Sequence, residues 1–596
     1  MTTIPNSVIF EAMRLPVKQL VSFILLAFLL GACAGAPTAQ PPKPEPFPSQ
    51  PSLAIPQAKA PPPDPLAYYH FLLSQFKMRE GKLDQAIEEL KKAILYDEKS
   101  PSLHVELATL LVYKGLLNEA AEECKTALLQ DPNYLSAHLI LGGIYSTLKK
   151  NLPAIESYKK ALEINPRHRE SYFYLSSLYE DMKEYPQAIQ VLRQYLKMEP
   201  DSVIGLYSLG RIYLQTKSYE KAVDLFLKAL AVDPTAVSVM GDLAITYEIQ
   251  NEPEKAVEVY KKILSLDPNN KRARSRLGQI FIKKKKLDEA LDQFREIQKV
   301  DSGDLNIRTK MGLIYLEQGN LEQAILQFNF VLAAAPKDDR VRYFLGAAYA
   351  EQGTFDQAVS EFKKISPESE VFVDSRRSIA LVLGKQNRSE EAIRILEESI
   401  QARPADGELY LILSGLLEKE NQLEKALSVL KRGVDQNPNN VEIRFQLGAL
   451  YDKLGDLEKM IAEMKEVLRL NPDYADALNY LGYSYADRSI HLEEALGLIQ
   501  KAMALKPSMG YITDSLGWVY YKLGDYERAV IELEKANELT PDDPVITEHL
   551  ADSYSKLSRA KKAAEFYKKA LTLDPKPDQM ERLKEKVKKL EEHSTK

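Results

Sequence analysis

Cysteine and tryptophan are scarce in this chain of 596 residues. It has one tryptophan and two cysteines. Two cysteines are too few for a scaffold held together by several disulfides. A surplus of positive charge is missing as well, since 79 basic residues face 85 acidic ones and the net charge is −6. This balance argues against a generally basic nucleic-acid binder, and we expect no nucleic-acid partner. The hydrophobic fraction of 45% is ample for a folded core.

The chain begins with an apolar run of only eleven residues, at positions 20–30. The run LVSFILLAFLL is too short to cross a bilayer as a helix and has the length of a signal-peptide core. Arg14 and Lys18 precede it, as in the basic start of such a peptide. Glu11 is unusual there, so Met13 is an alternative start. We expect residues 1–32 to be a signal peptide.

Leu30-Gly31-Ala32-Cys33 follows directly and resembles the lipobox of bacterial lipoproteins. The resemblance implies cleavage before Cys33 and lipid attachment to its thiol, and two acyl chains suffice for stable anchoring. An ordinary secretory signal with a chance cysteine is the alternative. Ala34 stands where aspartate would signal inner-membrane retention in enteric bacteria. By that resemblance we expect the outer membrane of a Gram-negative envelope, facing the periplasm, with the inner membrane and the cell surface left open.

Proline is concentrated in one segment behind this cysteine. Residues 34–66 hold twelve of the 33 prolines. Such a segment is extended and semi-rigid, and at about 3.1 Å per residue it could reach roughly 100 Å. We expect residues 33–66 to be a lipidated cysteine followed by a tether, and a proline-rich ligand for a partner is the alternative.

A unit of 34 residues repeats over most of the remaining chain. Residues 139–166, LILGGIYSTLKKNLPAIESYKKALEINP, and 206–234, LYSLGRIYLQTKSYEKAVDLFLKALAVDP, share one pattern. Fifteen such units fill residues 67–577, with one extra residue in the thirteenth, in the turn Ser489–His491. Apolar residues recur in each unit at the spacing of two amphipathic helices, A and B.

Small residues mark fixed positions of this unit. Position 8 in helix A is Gly in eight units, Ala in four and Ser in three, and position 20 in helix B is Ala in fourteen. Position 11 is usually Tyr, and position 32 is Pro in twelve units. The pattern resembles the tetratricopeptide repeat. That resemblance implies an all-α fold, a right-handed superhelical solenoid of about fifteen helix-turn-helix units, because a lone helix pair cannot bury its apolar face.

A few segments depart from the pattern or close it. Met460 replaces alanine at position 20 of the twelfth unit, and an early Pro367 in the ninth unit predicts a short helix B. Cys124 occupies the large apolar site at position 24 and should be buried and unpaired. Residues 578–596 are predicted to form a capping helix and tail. The apolar stripe of that helix consists of Met580, Leu583, Val587 and Leu590.

No motif for catalysis, nucleotide binding or zinc binding is present, so we expect neither an enzyme nor a cofactor. His70, His104 and His138 fall at position 4 of three consecutive units. Their regular spacing raises the alternative of a series of metal sites along the repeats. Position 4 is a packing site, however, and we expect these histidines to pack in the core rather than hold a metal.

Eight basic residues without an acidic one among them form a basic cluster in the seventh unit. The simpler interpretation is that these residues form a solvated turn and helix face without a specific function. The alternative is a contact surface for an anionic partner. The basic cluster comprises Lys271, Arg272, Arg274, Arg276, Lys283, Lys284, Lys285 and Lys286.

In tetratricopeptide repeats helix A lines the concave groove, so the resemblance makes positions 2, 5, 9 and 12 the surface open to a partner. Two aromatic clusters lie on this stripe, and Trp and Tyr dominate binding hot spots. Packing of these rings against neighbouring A helices is the alternative. The N-terminal aromatic cluster comprises Phe173, Tyr207 and Arg211. The C-terminal aromatic cluster comprises Tyr483, Tyr511, Trp518 and Tyr521, among Asn479, Asp487, Asp514, Glu548 and Asp552.

The sequence therefore predicts a non-catalytic scaffold, anchored by lipid to the cell envelope, that docks proteins or peptide segments in its groove and supports an envelope or secretion complex. The alternative function is an envelope lipoprotein that binds glycan, polysaccharide or peptidoglycan, or that assists export.

Overall fold

The computed structural model describes residues 64–594, and within that range every regular element is an α-helix. The predicted signal peptide, Cys33 and most of the tether lie outside the described residues. None of the described helices is long and apolar enough to cross a membrane. The helices are α1 Pro65–Arg79, α2 Leu83–Tyr96, α3 Pro101–Lys114, α4 Leu117–Gln130, α5 Leu135–Thr147, α6 Asn151–Ile164, α7 Arg169–Asp181, α8 Tyr185–Met198, α9 Val203–Gln215, α10 Tyr219–Val232, α11 Val237–Ile249, α12 Pro253–Leu266, α13 Lys271–Lys283, α14 Leu287–Val300, α15 Leu305–Glu317, α16 Leu321–Ala334, α17 Asp339–Gln352, α18 Phe355–Lys363, α19 Phe372–Lys385, α20 Ser389–Ala402, α21 Gly407–Lys419, α22 Leu423–Gln436, α23 Val441–Lys453, α24 Leu457–Leu470, α25 Ala475–Asp487, α26 Leu492–Leu505, α27 Gly510–Leu523, α28 Tyr526–Leu539, α29 Pro544–Lys556, α30 Ala560–Thr572 and α31 Pro577–Ser594.

Helices α1 to α30 form fifteen antiparallel pairs, with odd numbers for A helices and even numbers for B helices, and this confirms the predicted all-α solenoid. The described chain divides into two compact units, an N-terminal unit up to Ile307 and a C-terminal unit from Arg308. In each unit the core lies between the two helices of a pair and between one pair and the next, as expected when no pair can bury its apolar face by itself.

The turn from helix A to helix B contains, in every pair, a residue with a positive φ angle. This residue stands at position 15 of every unit, with φ of 81° at Gly115 and 58° at Lys149. Glycine occupies it in six units, and lysine, asparagine or serine in nine. A side chain in this left-handed conformation costs about 1 kcal/mol, which the packing of the two helices has to offset.

The glycine at position 8 lies directly under the large side chain at position 24 of its own pair. A Cβ atom added to Gly210 would lie 2.5 Å from Cε1 of Phe226, and one added to Gly312 would lie 2.5 Å from Cε1 of Phe328. Both rings are completely buried. The predicted close approach of the helices at position 8 is therefore confirmed, and the group that needs the space is the position-24 side chain.

The side chain at position 4 of helix A connects successive helix pairs through hydrogen bonds. Arg444 donates from Nε to the carbonyl oxygen of Pro438, in the preceding repeat, at 2.8 Å, and from Nη1 to Glu463 of its own helix B at 2.9 Å. His104 makes the equivalent contacts, to a carbonyl oxygen of the preceding repeat at 3.3 Å and to Glu123 at 2.6 Å. The sequence predicted only packing here, so this connecting role is a finding of the structure.

The ninth repeat is irregular where its proline comes early. Helix α18 has nine residues and ends at Lys363, as predicted. The guanidinium of buried Arg376, on α19, donates to the carbonyl oxygens of Phe362 at 2.7 Å and Ile365 at 3.3 Å, and to Oγ of Ser399 at 3.0 Å. Burial lowers the pKa of Arg376 to about 10. This cation occupies the C-terminal end of the shortened helix, where unpaired carbonyl oxygens favour positive charge.

The other predicted departures are accommodated locally. Cys124 is completely buried and not disulfide-bonded, as predicted, and burial raises the pKa of its thiol to about 12. Met460 is completely buried. The extra residue of the thirteenth repeat lies in a turn where Ser489 and His491 both have positive φ angles. Helix α31 packs on α30, with Leu583 completely buried and Glu581, Lys584 and Glu585 exposed.

Candidate functional site

Trp518 lies at the centre of a ring stack in the C-terminal unit. Its ring on α27 lies 3.9 Å from that of His549 on α29 and 4.7 Å from that of Tyr521, both nearly parallel to it. Tyr483, on α25, lies 6.4 Å from His549, so side chains from three A helices meet here. Only 8% of Trp518 and 6% of Tyr483 remain exposed. The rings therefore fill the space between neighbouring A helices.

A buried acid–base pair supports this stack. Nδ1 of His549 lies 2.9 Å from Oδ1 of Asp514, and both side chains are more than nine-tenths buried. Burial by itself would lower the pKa of His549, but the charge and hydrogen bond of Asp514 outweigh it and raise that pKa. Asn479 Oδ1 and Trp518 Nε1 are also buried, and neither finds a hydrogen-bond partner among the described residues.

The other tyrosines of the C-terminal aromatic cluster are half-buried. Tyr511 donates from its hydroxyl to Asp476 Oδ1 at 2.7 Å, and burial is the main cause that raises the pKa of this phenol. Tyr521 packs edge-on against Tyr526 as well as on Trp518, and burial, helped by the charge of Asp552, raises its pKa to about 12. The backbone oxygen of Asp487 accepts a hydrogen bond from Lys522 at 2.9 Å.

The acidic residues around Trp518 are neutralised by the C-terminal helix. Arg582 Nε and Lys586 Nζ each lie 2.8 Å from Oε1 of Glu548, and Lys586 also lies 2.6 Å from Asp552. Burial by itself would raise the pKa of Glu548, but these two cations and the amide of Gln579 outweigh it and lower the pKa to about 2. Glu548 and Asp552 are therefore engaged by α31.

Two members of the N-terminal aromatic cluster, Tyr207 and Arg211, share one carboxylate. Tyr207 donates its hydroxyl to Asp242 Oδ2 at 2.9 Å, and Arg211 Nε lies 3.6 Å from the same oxygen. Burial, aided by Asp242, raises the pKa of Tyr207 to about 12. Phe173 packs edge-on against Tyr195 at 5.1 Å. The structure thus brings Tyr207 and Arg211 together, while Phe173 packs within the preceding repeat.

The predicted stripe missed the residues that hold both clusters. Asp242 and His549 stand at position 6 of their repeats, and each contacts position 5 of the preceding repeat, 35 residues earlier. Tyr343 and Ser378 repeat this relation at 3.4 Å. A search for polar pairs 35 residues apart would have found these contacts, whereas the stripe at positions 2, 5, 9 and 12 leaves position 6 out.

Most of the basic cluster is paired in the N-terminal unit. Lys271 lies 2.8 Å from Asp301 and 2.6 Å from Asp304, and Lys284 contacts Glu254. The weaker contacts of the cluster are Arg274 with Gln293 at 3.2 Å, Arg276 with Glu248 at 3.8 Å and Lys286 with Glu289 at 3.5 Å. Arg272, Lys283 and Lys285 are exposed. The local charge surplus is thus smaller than the sequence alone indicates.

The three histidines at position 4 form hydrogen bonds to their own repeat or to the repeat before it. His70 lies 2.6 Å from Glu89, and His138 lies 2.9 Å from the carbonyl oxygen of Pro132, in the same two kinds of contact as His104. Among residues 64–594 no group of three or more His, Cys, Asp or Glu side chains is placed to hold a metal ion.

Family models of one repeat class match the chain over much of its length. One, described as "Cytochrome c-type biogenesis protein H TPR domain", matches residues 179–302. Others, described as tetratricopeptide repeat, match residues 77–142, 135–168, 309–369, 385–442, 417–482, 514–543 and 548–577.

A TPR repeat-containing protein of Pseudomonas aeruginosa is 51% identical over 57 residues, or 9% of this chain. The match spans about a tenth of that curated relative.

Several solved structures resemble the chain in part. MamA is 26% identical, with 27% of this chain and 93% of that one covered and a TM-score of 0.25. Yeast Tom70 is 15% identical over 89% of this chain and 96% of its own, with a TM-score of 0.33. YrrB, described as a TPR protein with an unusual peptide-binding site, is 19% identical over 31% and 95%, with a TM-score of 0.27.

Proposed function

Because this chain is built from tetratricopeptide repeats, a fold typical of protein–protein interaction scaffolds, we propose that it is a non-catalytic scaffold anchored by lipid to the cell envelope. Its A helices dock segments of partner proteins, and it supports the assembly of an envelope or secretion complex. The anchor is Cys33, in an outer membrane facing the periplasm.

One observation carries the scaffold proposal: helix pairs of a single kind, with one terminal helix, account for all the described structure. Each pair adds one A helix to the surface offered by its unit, so the chain multiplies docking area without adding a reaction centre. Exposed side chains on that surface include Ile204, which is 51% exposed on α9.

The anchor rests on the sequence at residues 20–33, where an apolar run leads into Leu30-Gly31-Ala32-Cys33. Cys33→Ser should abolish lipid labelling by a clickable palmitate analogue and move the protein from the membrane fraction to the soluble one. Cys124→Ala is the matched control, since that second cysteine is completely buried and should leave labelling unchanged. Equal labelling of the parent and Cys33→Ser would refute the anchor.

The nature of the partner is tested on the full chain by crosslinking in cells beside sedimentation with isolated sacculi. The scaffold proposal expects defined protein adducts and no enrichment in the sacculus pellet. Sedimentation with sacculi, without protein adducts, would favour the alternative function of glycan binding.

A further inference from the structure

The first helix carries an apolar face that nothing described covers. Helix α1 turns Ala67 and Ser74 inward, where both are buried. Five large apolar side chains on the other side of the helix are 49–59% exposed, and at 100° per residue they fall within about 160° of its circumference. This outward face of α1 consists of Leu66, Tyr68, Tyr69, Leu72 and Phe76.

The opposite end of the repeat array is built differently. The outward side of α31 carries charged residues, among them Glu581, Lys584 and Glu585. Terminal elements of repeat proteins need a polar outer face for solubility, and a helix that is apolar all round is ordinarily buried. The outward face of α1 therefore calls for a covering group.

We propose that the chain's own proline-rich segment, residues 46–58, lies on the outward face of α1. This segment, PFPSQPSLAIPQA, contains four prolines, three large apolar residues and no charged one. Proline-rich segments dock on aromatic surfaces because their extended backbone is already ordered and loses little entropy. Three of the five residues of the outward face are aromatic.

The segment is long enough to cover the helix and is joined to it directly. Helix α1 has 15 residues and is about 22 Å long, while thirteen residues of extended proline-rich chain span about 40 Å. Residues 59–63 link the segment to Asp64, which caps α1 by accepting a hydrogen bond from the Leu66 backbone nitrogen at 2.8 Å.

A second copy of the chain fits the outward face less well. Even if all five side chains are counted as large aromatics, which bury about 150–250 Å² each in full, they offer about 500 Å² when half-exposed. A stable specific dimer needs roughly 800 Å² from each partner. The face is therefore large enough for one extended segment and small for a dimer.

A membrane surface would be the favoured covering group if unpaired basic residues lay beside the rings. Helix α1 has two lysine or arginine residues, Lys77 and Arg79, both in its last turn. Lys77 is paired with Glu80 at 3.2 Å.

The test is photocrosslinking of the full chain in intact cells, with p-benzoylphenylalanine in place of Tyr69. The expected product runs as a monomer on a denaturing gel and joins position 69 to a peptide from residues 46–58. The matched control carries the same group in place of Leu129 on α4, which is 82% exposed, and should give no such peptide. Replacing Phe47, Leu53 and Ile55 by serine should reduce the crosslink at least fivefold while helicity by circular dichroism stays unchanged.

A crosslinked dimer would overturn the proposal in favour of a second copy, and a lipid adduct in favour of the membrane. A helical, folded chain that gives no crosslink at position 69 would also overturn it.

Discussion

At the scale of single residues, the glycines of the A helices fall into two kinds according to what lies beside them. Gly210 lies against the ring of Phe226, where an added Cβ would be 2.5 Å away, whereas an added Cβ at Gly241 would meet nothing within 4 Å. Sequence alone identified the first kind through position 8, because that position stays small in all fifteen repeats.

The two kinds predict opposite effects of one substitution. Gly210→Ala should lower the free energy of unfolding of the N-terminal unit by about 1–3 kcal/mol, because the buried Phe226 ring would have to move. Gly241→Ala, the matched control in the same unit, should raise it by about 0.5–1 kcal/mol through the better helix propensity of alanine. Urea denaturation measures both, and equal shifts in one direction would contradict this account of position 8.

Trp518 is held by rings from two helices, so its main effect should be on stability. Trp518→Ala should cost about 3–5 kcal/mol of unfolding free energy in the C-terminal unit, the usual cost of truncating a buried large aromatic residue. Ile531→Ala, at a site 51% exposed on α28, should change it by about 0.5 kcal/mol or less. Thermal melting of both variants measures the difference.

The emission of this residue offers a second check, because it is the chain's one tryptophan. We expect blue-shifted emission that acrylamide quenches poorly. Red-shifted, easily quenched emission together with an unchanged melting curve would show an open binding ring instead.

At the scale of elements, α31 is held by charge as well as by its apolar side. Arg582 and Lys586 contact Glu548, whose side chain is 4% exposed, and keep its pKa depressed to about 2. Since the folded-state pKa lies below the unfolded one, this contribution is present at pH 7. It is lost as the pH falls from about 4.5 towards 2.

Acidification should therefore release α31 before the rest of its unit. Hydrogen exchange of the α31 amides should accelerate between pH 4.5 and pH 2, after correction for the intrinsic rate, by an amount that corresponds to roughly 3 kcal/mol at most. Glu548→Gln should accelerate exchange already at pH 7 and flatten the dependence on acid. Glu538→Gln, at an exposed site on α28, is the control and should leave the profile as in the parent. An acid profile in Glu548→Gln equal to that of the parent would disprove the role of this carboxylate.

At the scale of the whole molecule, the 34-residue repeat is the unit that can be removed. Deleting residues 203–236 takes out α9 and α10 and rejoins equivalent positions of neighbouring repeats. We expect the shortened chain to keep its helical content per residue and a cooperative melt, because each pair contacts only its neighbours.

Deleting 17 residues, 203–219, is the matched control, because it removes one helix and places two B helices in succession. This variant should lose cooperative melting in the N-terminal unit, as measured by circular dichroism. Similar melting of the two deletions would show that the repeat is not the folding unit.

The pattern of the repeat was enough to predict how the two helices of one pair pack and where they end. The small residue at position 8, the burial of Cys124 and the early end of α18 could all be predicted, because these features depend on the period of one helix and on the stop that proline imposes. The candidate site was predictable only in part. Trp518 and Tyr207 were identified as aromatic residues of the A helices, without the partners that hold them.

The contacts between one helix pair and the next could be read only from the folded structure. Asp242 contacts Tyr207 and His549 contacts Asp514, each across 35 residues, and Arg582 contacts Glu548 across 34 residues. His549 also stacks on Trp518. These contacts depend on the rotation and offset from one pair to the next, which the pattern within a repeat does not contain. That geometry fills the space around Trp518 with rings and places Glu548 and Asp552 in contact with α31. The rings are buried because closely packed A helices enclose the side chains at their facing positions.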